Sequence, residues 1–215
     1  MNELTIIERT TTNHGELQLQ QRGFEYEVIS NGTFLMATYN GESERELVRS
    51  PLNLLTGDKR VLIGGLGVGF SLHEAISDES VSQVDIIEIE ETIIHWNKDY
   101  LAPLTNHAIF DDRTRIIHAD LTQWIYHTDN TYDAICLDID NGPDWTVYDD
   151  NQSLYQPKAL STLHERLNQY GVIAFWSAHE SDHFYTQLTH YFNHVQTVFI
   201  PQPKGADDVI YLAQK

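Results

Sequence analysis

Residues 61–70 read VLIGGLGVGF, an apolar strand-like run that enters glycines at the alternate positions Gly65, Gly67 and Gly69. A helical pattern from Val68 to Ile76 follows directly. Glycine lets the chain turn tightly and lets a ligand approach the backbone, and the free N–H groups at a helix start attract negative charge. The stretch therefore reads as a strand, loop and helix of nucleotide-binding type. A dinucleotide fingerprint asks for GxGxxG, whereas position 70 is Phe and the third glycine comes one place early, at Gly69. That spacing favours an S-adenosyl-L-methionine-type ligand and leaves NAD as the lesser reading.

Outward from this unit, apolar runs alternate with helical stretches: VLIGG, VDIIEI, RTRII, YDAICLD and GVIAFW. Such alternation predicts an α/β fold, a Rossmann-like doubly wound sheet of seven strands, mostly parallel, with helices on both faces. Helices are expected at about 68–76, 91–100, 121–126, 153–168 and 181–192. The closing segment VQTVFIPQPKGADDVIYLAQK reads as strand, polar loop and strand, a connection too short for a parallel crossover, so the last strand should run antiparallel. At the other end, residues 16–39 alternate like strands and break at Arg22-Gly23 and Asn31-Gly32, which predicts a three-stranded meander. A meander this small cannot bury both faces and should pack on the rest of the chain or on a second subunit. The expected organisation is a meander appendage over 1–49, a ligand-binding domain over 50–215, and a possible homodimer.

In an open sheet of this kind the C-terminal strand ends line one crevice. Glu88 closes the second strand, where a carboxylate can accept hydrogen bonds from both ribose hydroxyls. Asp120 follows RIIHA, where its carboxylate or the Leu121 amide can meet an adenine edge. Asp138 closes the fourth strand. Gly65, Gly67, Gly69, Glu88, Asp120 and Leu121 form the expected cofactor-binding set, and the Asp138 region should face the same ligand.

Charge narrows the partners. The 215 residues hold 13 basic and 32 acidic side chains, a formal charge of −19. Phosphate backbones are bound mainly by Lys and Arg, so nucleic acid is not an expected partner. The same field would draw cationic small molecules such as polyamines, or simply keep the surface soluble. The single cysteine, Cys136, cannot form an internal disulfide, and the start MNELTIIERTT lacks a secretory pattern, so a cytoplasmic location is expected. The longest run without a polar side chain, 61–70, is far below the roughly 20 residues that span a bilayer.

The ordered set NGTFLMATYNGESERELV, VLIGGLGVG, VDIIEIEETII, RIIHADLTQW, YDAICLDIDNGP and LYQPKALSTLHERLNQYGVIAFW resembles the spermidine synthase (polyamine aminopropyltransferase) family over nearly the whole chain. That family is a branch of the class I S-adenosylmethionine-dependent methyltransferase fold. The resemblance implies that Glu88 holds the donor's ribose, Asp120 with Leu121 its adenine, and that Asp138 matches the aspartate that deprotonates the attacking amine. Three positions depart from the family pattern. Val68 stands where the family has a loop acid that pairs with the ammonium of decarboxylated S-adenosylmethionine. Glu44 falls at a family tyrosine, and Asn141 at a second aspartate. An acid in the loop would repel the carboxylate of intact S-adenosylmethionine, and Val68 removes that repulsion. The expectation is therefore methyl transfer from S-adenosyl-L-methionine to an amine-type acceptor. The alternatives are aminopropyl transfer from decarboxylated S-adenosylmethionine, with Glu44 as a displaced charge, or a non-catalytic S-adenosylmethionine-binding protein.

The chemistry is expected at YDAICLDIDNGPDW. A protonated amine, with a pKa of roughly 10.4, has no lone pair to attack a sulfonium, so a carboxylate must take its proton. Asp138 is the expected base, with Asp140 and Asn141 orienting the acceptor. The rings of Trp145, Tyr148 and Tyr155 could hold a cation or serve as lid packing. No metal is demanded. HESDH at 179–183 satisfies the HExxH string, but it follows a strand directly and places Ser181 as a helix cap, which speaks against a zinc helix.

Overall fold

The structure is a computed structural model that describes residues 3–139, 141–144, 149–203 and 205–215. Its larger sheet contains β5 (Lys59–Gly64), β6 (Val81–Glu88), β7 (Thr114–His118), β8 (Tyr132–Leu137), β9 (Leu167–Ser177), β10 (Asn193–Ile200) and β11 (Asp208–Gln214). Their spatial order is β10-β11-β9-β8-β5-β6-β7. Pairings β5–β6, β6–β7, β5–β8 and β8–β9 are parallel, while β11 runs antiparallel to both β9 and β10, as the short final connection requires. The central strands are apolar on both sides because both faces are covered. Val61, Ile63, Ile86 and Val172 enter one core, and Leu62, Ile87, Ile135 and Phe175 the other. The chain moves outward from β5 through β6 to β7 and then returns to the opposite side of β5 as β8. The strand order thus reverses between β5 and β8, the place where such sheets open a ligand crevice.

The N-terminal sheet has four strands rather than the expected three: β1 (Leu4–Thr12), β2 (Gly15–Arg22), β3 (Glu25–Ser30) and β4 (Thr33–Ala37), each antiparallel to the next. The strand missed, β1, is an edge strand in which no residue is fully buried, so it lacks the apolar alternation that reveals a strand. Leu17, Leu19 and Val28 project into the same core as Val61 and Ile63, which seats this sheet on the larger domain.

The helices are α1 (Glu42–Asn53), α2 (Phe70–Ser77), α3 (Glu91–Trp96), α4 (Leu121–Trp124), α5 (Pro157–Arg166) and α6 (Asp182–Leu188). Helix α1 was not expected and runs through the boundary anticipated at residue 49. Ser43, Leu47, Val48, Pro51 and Leu52 form its buried face, which packs on α2, β9 and β11. The helix expected over 91–100 is α3 followed by a π-turn, Asn97–Leu101. The helix expected from Ser153 begins instead at Pro157, after a 3-10 stretch at Asp149–Tyr155, in which the Asn151 side-chain amide donates to the Ile139 carbonyl. Ser181 does cap α6, accepting from the Phe184 N–H, so His179 precedes the helix. No helix among the described residues is long and apolar enough to cross a membrane.

Candidate active site

Local geometry brings the glycine loop against three strand ends. The Gly65 N–H donates to the Ile87 carbonyl at 2.9 Å, and the Asp138 N–H donates to the Gly64 carbonyl at 2.9 Å. Gly65 has φ +91°, and a Cβ there would lie 2.2 Å from the Asp138 carbonyl oxygen. Only glycine lets the loop and the end of β8 approach this closely. A Cβ on Gly64 would meet Leu121 Cδ2 at 2.6 Å, so the start of α4 closes the same corner.

Glu88 is buried at the end of β6. Its Oε2 accepts from the Leu66 N–H and its Oε1 from the Glu90 N–H, both at 2.8 Å. Burial pushes its pKa above the usual carboxylate value, and the two amides oppose that rise. Each carboxylate oxygen can accept a second hydrogen bond, which leaves Glu88 competent to take two ribose hydroxyls. Asp120 caps α4, its Oδ1 accepting from the Thr122 N–H at 2.8 Å and the Thr122 hydroxyl at 2.7 Å. That cap fixes its orientation beside the crevice.

Asp138, just after β8, is strongly perturbed. Its pKa is pushed up to about 7, first by burial and then by the nearby negative Asp208. Glu44, near the start of α1, rises to about 8 through burial, Asp138 and then Asp208, with Arg45 opposing. Asp208 is also raised by burial, offset by the hydroxyl of Ser43. Carboxyls from α1, from the residue after β8 and from β11 thus lie near enough for Glu44 to feel both Asp138 and Asp208, and Asp138 to feel Asp208. A hydrogen-bonded strap holds Asp208: Ser43 Oγ donates to Asp208 Oδ2, and Gln202 Nε2 donates to Ser43 Oγ at 3.0 Å and to Asp208 Oδ2 at 2.6 Å. The Ser71 hydroxyl donates to the Glu44 carbonyl at 3.0 Å, tying α1 to the helix that follows the glycine loop.

The expected residues Gly65, Glu88, Asp120, Leu121 and Asp138 therefore come together. Gly67 and Gly69 complete the turn with φ +54° and +92°. The Asn141 carbonyl accepts from the Ala178 N–H at 3.0 Å, which ties the segment after β8 to the end of β9. Asp140, Trp145 and Tyr148 lie outside the described residues. Tyr155 is buried, a core ring 5.3 Å from Phe184 edge to face, as the packing alternative expects. Cys136 is fully buried, and burial pushes its thiol pKa up, consistent with an inert packing residue. Asp208 was missed in the sequence, although two consecutive acids at the mouth of the apolar run VIYLA were a visible signal.

A glycine turn at the reversal of strand order, a buried acid at the end of the neighbouring strand and a group of carboxyls beside it are features of an α/β protein of the nucleotide-binding type. Comparison with known proteins narrows the class. Residues 42–202 match the spermine/spermidine synthase domain. A polyamine aminopropyltransferase of Saccharolobus islandicus (strain Y.N.15.51) is 33% identical over 175 residues, covering 80% of this chain and 56% of that protein. One from Thermococcus onnurineus is 27% identical over 167 residues, covering 76% and 56%. The chain belongs to the spermine/spermidine synthase family, and it spans just over half the length of these curated relatives. Its fold is that of spermidine synthase. The crystal structure of a spermidine synthase in complex with the transition-state analogue AdoDATO superposes with a TM-score of 0.82 at 18% identity, covering 98% of this chain and 73% of that one. The Thermotoga maritima spermidine synthase gives 0.80 at 17%, covering 98% and 72%.

Proposed function

We propose that the protein transfers an aminopropyl group from decarboxylated S-adenosylmethionine to a cationic amine. The observation that carries this reading is Asp138 packed against the glycine loop, with Glu44 and Asp208 brought near it by the bonds of Ser71 and Ser43. Carboxyls gathered in a part-buried site call for positive charge, and both donor and acceptor bring it. The curated relatives, all named polyamine aminopropyltransferases, support aminopropyl transfer over the methyl transfer expected from Val68. Glu44 is proposed to answer the missing loop acid: its carbonyl is bonded to Ser71 of the helix that follows the glycine loop, and its carboxyl would face the donor's ammonium.

The residues fit the adenosyl donor. Glu88 has acceptor capacity for the ribose hydroxyls, Asp120 and the Leu121 amide stand where the adenine would lie, and the glycine turn leaves the backbone open. The donor supplies a sulfonium whose propyl carbon can be attacked. Asp138 takes a proton from the acceptor ammonium, the freed nitrogen lone pair forms the new C–N bond, and the C–S bond breaks with its electron pair going to sulfur. The products are the aminopropylated amine and 5′-methylthioadenosine. Alignment of nitrogen, carbon and sulfur supplies most of the acceleration in such a displacement. Asp140 and Asn141 are proposed to orient the acceptor.

The test is product analysis by mass spectrometry with decarboxylated or intact S-adenosylmethionine and a panel of di- and triamines. Formation of 5′-methylthioadenosine is expected. S-adenosylhomocysteine instead would establish methyl transfer, and binding without product would establish a sensor. Either result overturns the proposal.

A further inference from the structure

Asn97 is 1% exposed, and its side-chain amide donates to two carbonyls, Gly67 at 2.8 Å and Ile93 at 3.0 Å. The first bond leaves its own helix and reaches the middle of the glycine loop. Asn97 opens the π-turn Asn97–Leu101, a local widening that recurs at functional sites. Its carboxamide oxygen lies against the loop as well, since a Cβ on Gly69 would stand 2.7 Å from Asn97 Oδ1. Gly69 also holds φ +92°, so the glycine that comes one place early is required both by backbone conformation and by the carboxamide beneath it.

The bond to Gly67 has a geometric consequence. A trans peptide is planar, so its C=O and N–H point in opposite directions. With the Gly67 carbonyl held toward α3 by Asn97, the Val68 N–H of the same peptide faces the other way. Nearby amides are already used: Gly65 donates to Ile87, Leu66 to Glu88, and Gly69 to Leu66. Among the described residues, none accepts from the N–H groups of Gly67 and Val68.

We infer that Asn97 is a positioning residue of the donor site. By clamping the Gly67 carbonyl it presents the Val68 N–H to a hydrogen-bond acceptor on the adenosyl part of the donor, and so sets donor affinity without touching the acceptor amine. This rests on the adenosyl-donor reading above. Asn97→Ala removes the clamp, and Asn97→Asp keeps the size while setting a carboxylate oxygen against the Gly67 carbonyl.

The experiment measures, for the wild type and both variants, calorimetric affinity for 5′-methylthioadenosine, the KM values of decarboxylated S-adenosylmethionine and of the amine, and the melting midpoint. Asn97→Ala is expected to weaken 5′-methylthioadenosine binding and raise the donor KM by about tenfold, with a larger loss in Asn97→Asp and an unchanged amine KM. A purely structural role would lower the melting midpoint without separating the two KM values. Folded variants that bind like the wild type overturn the clamp while leaving the donor reading intact. A folded wild type that binds neither adenosyl compound overturns the donor reading, and the clamp falls with it. Should neither variant fold, amide exchange in the wild type decides: 5′-methylthioadenosine should slow exchange at Val68, and an unchanged rate refutes the proposal.

Discussion

Replacing Asp208 by Asn removes one charge from the carboxyl cluster while keeping the side chain's shape. Asp138 rises from 3.8 to about 7 for two reasons, burial first and Asp208 second. Burial is unchanged by the substitution, so only the smaller contribution is relieved. A neighbouring like charge commonly moves a carboxyl by one or more pH units, and here it is the smaller of the two causes. Asp138 should therefore titrate about one pH unit lower, equivalent to about 1.4 kcal/mol. The direct assay is carbon NMR titration of the Asp138 carboxyl in the ligand-free protein. The functional assay is the acid limb of kcat/KM, which reports the free enzyme. Because the base must be unprotonated, activity falls as pH drops through the Asp138 pKa, and at pH 6 Asp208→Asn should hold roughly five times more of its plateau rate than the wild type. Stability has the opposite sign. A carboxyl with a raised folded pKa contributes stability that is fully present below its unfolded value near 4 and is lost as pH rises through about 7. The variant should thus lose less stability than the wild type between pH 5 and 8. An Asp138 titration that stays in place or moves upward refutes the view that these two carboxyls face each other.

Glu44→Gln removes the charge proposed to face the donor's ammonium. Its KM for decarboxylated S-adenosylmethionine should rise about tenfold, with little change in affinity for 5′-methylthioadenosine, which has no ammonium; equal losses for both would refute the assignment. Away from the site, the Tyr132 hydroxyl donates to Asp85 Oδ2 at 2.7 Å, and both residues are fully buried. Tyr132→Phe leaves the Asp85 carboxylate with one partner fewer, Gln83 remaining, and should cost about 1–3 kcal/mol, lowering the melting midpoint by about 2–4 °C per kcal/mol. A midpoint within 1 °C of the wild type, roughly the error of such a melt, would show that the bond is not needed.

The parts of the site written at strand ends were legible because strand, turn and acid are neighbours in sequence. Gly65, Glu88, Asp120 and Asp138 each follow an apolar run, and the parallel sheet brings those ends together. Contacts made by distant segments were not legible. Ser43 and Asp208 are 165 residues apart, and their bond depends on the register that sets Val209 opposite Ser177. Asn97 reads as an ordinary polar residue on a helix, and nothing local reveals that a π-turn directs its amide to Gly67. Helix α1 was hidden by Pro51, which reads as a breaker but falls in the last turn, where the helix is already ending. Tyr155 reads with its neighbours Trp145 and Tyr148 as one aromatic group, yet it ends a 3-10 stretch and its ring packs in the core.

The departure at Val68 changes more than the address of one charge. An acid in the loop would be fixed by the loop alone. Glu44 is held through α1, whose N-terminal turn is bonded on one side to Ser71 of α2 and on the other, through Ser43, to Asp208 at the start of β11. In the proposed reaction, the group facing the donor's ammonium and the carboxyl that raises the pKa of the base are therefore joined by adjacent residues of one helix turn. A shift of α1 would move both at once, weakening donor binding and changing the protonation of Asp138 together. The Asn97 clamp acts on the Gly67 peptide, and neither of its two bonds reaches the carboxyl of Asp138. The two supports are thus separable: changes at Ser43 or Asp208 should alter the pH profile as well as binding, whereas changes at Asn97 should alter donor affinity alone.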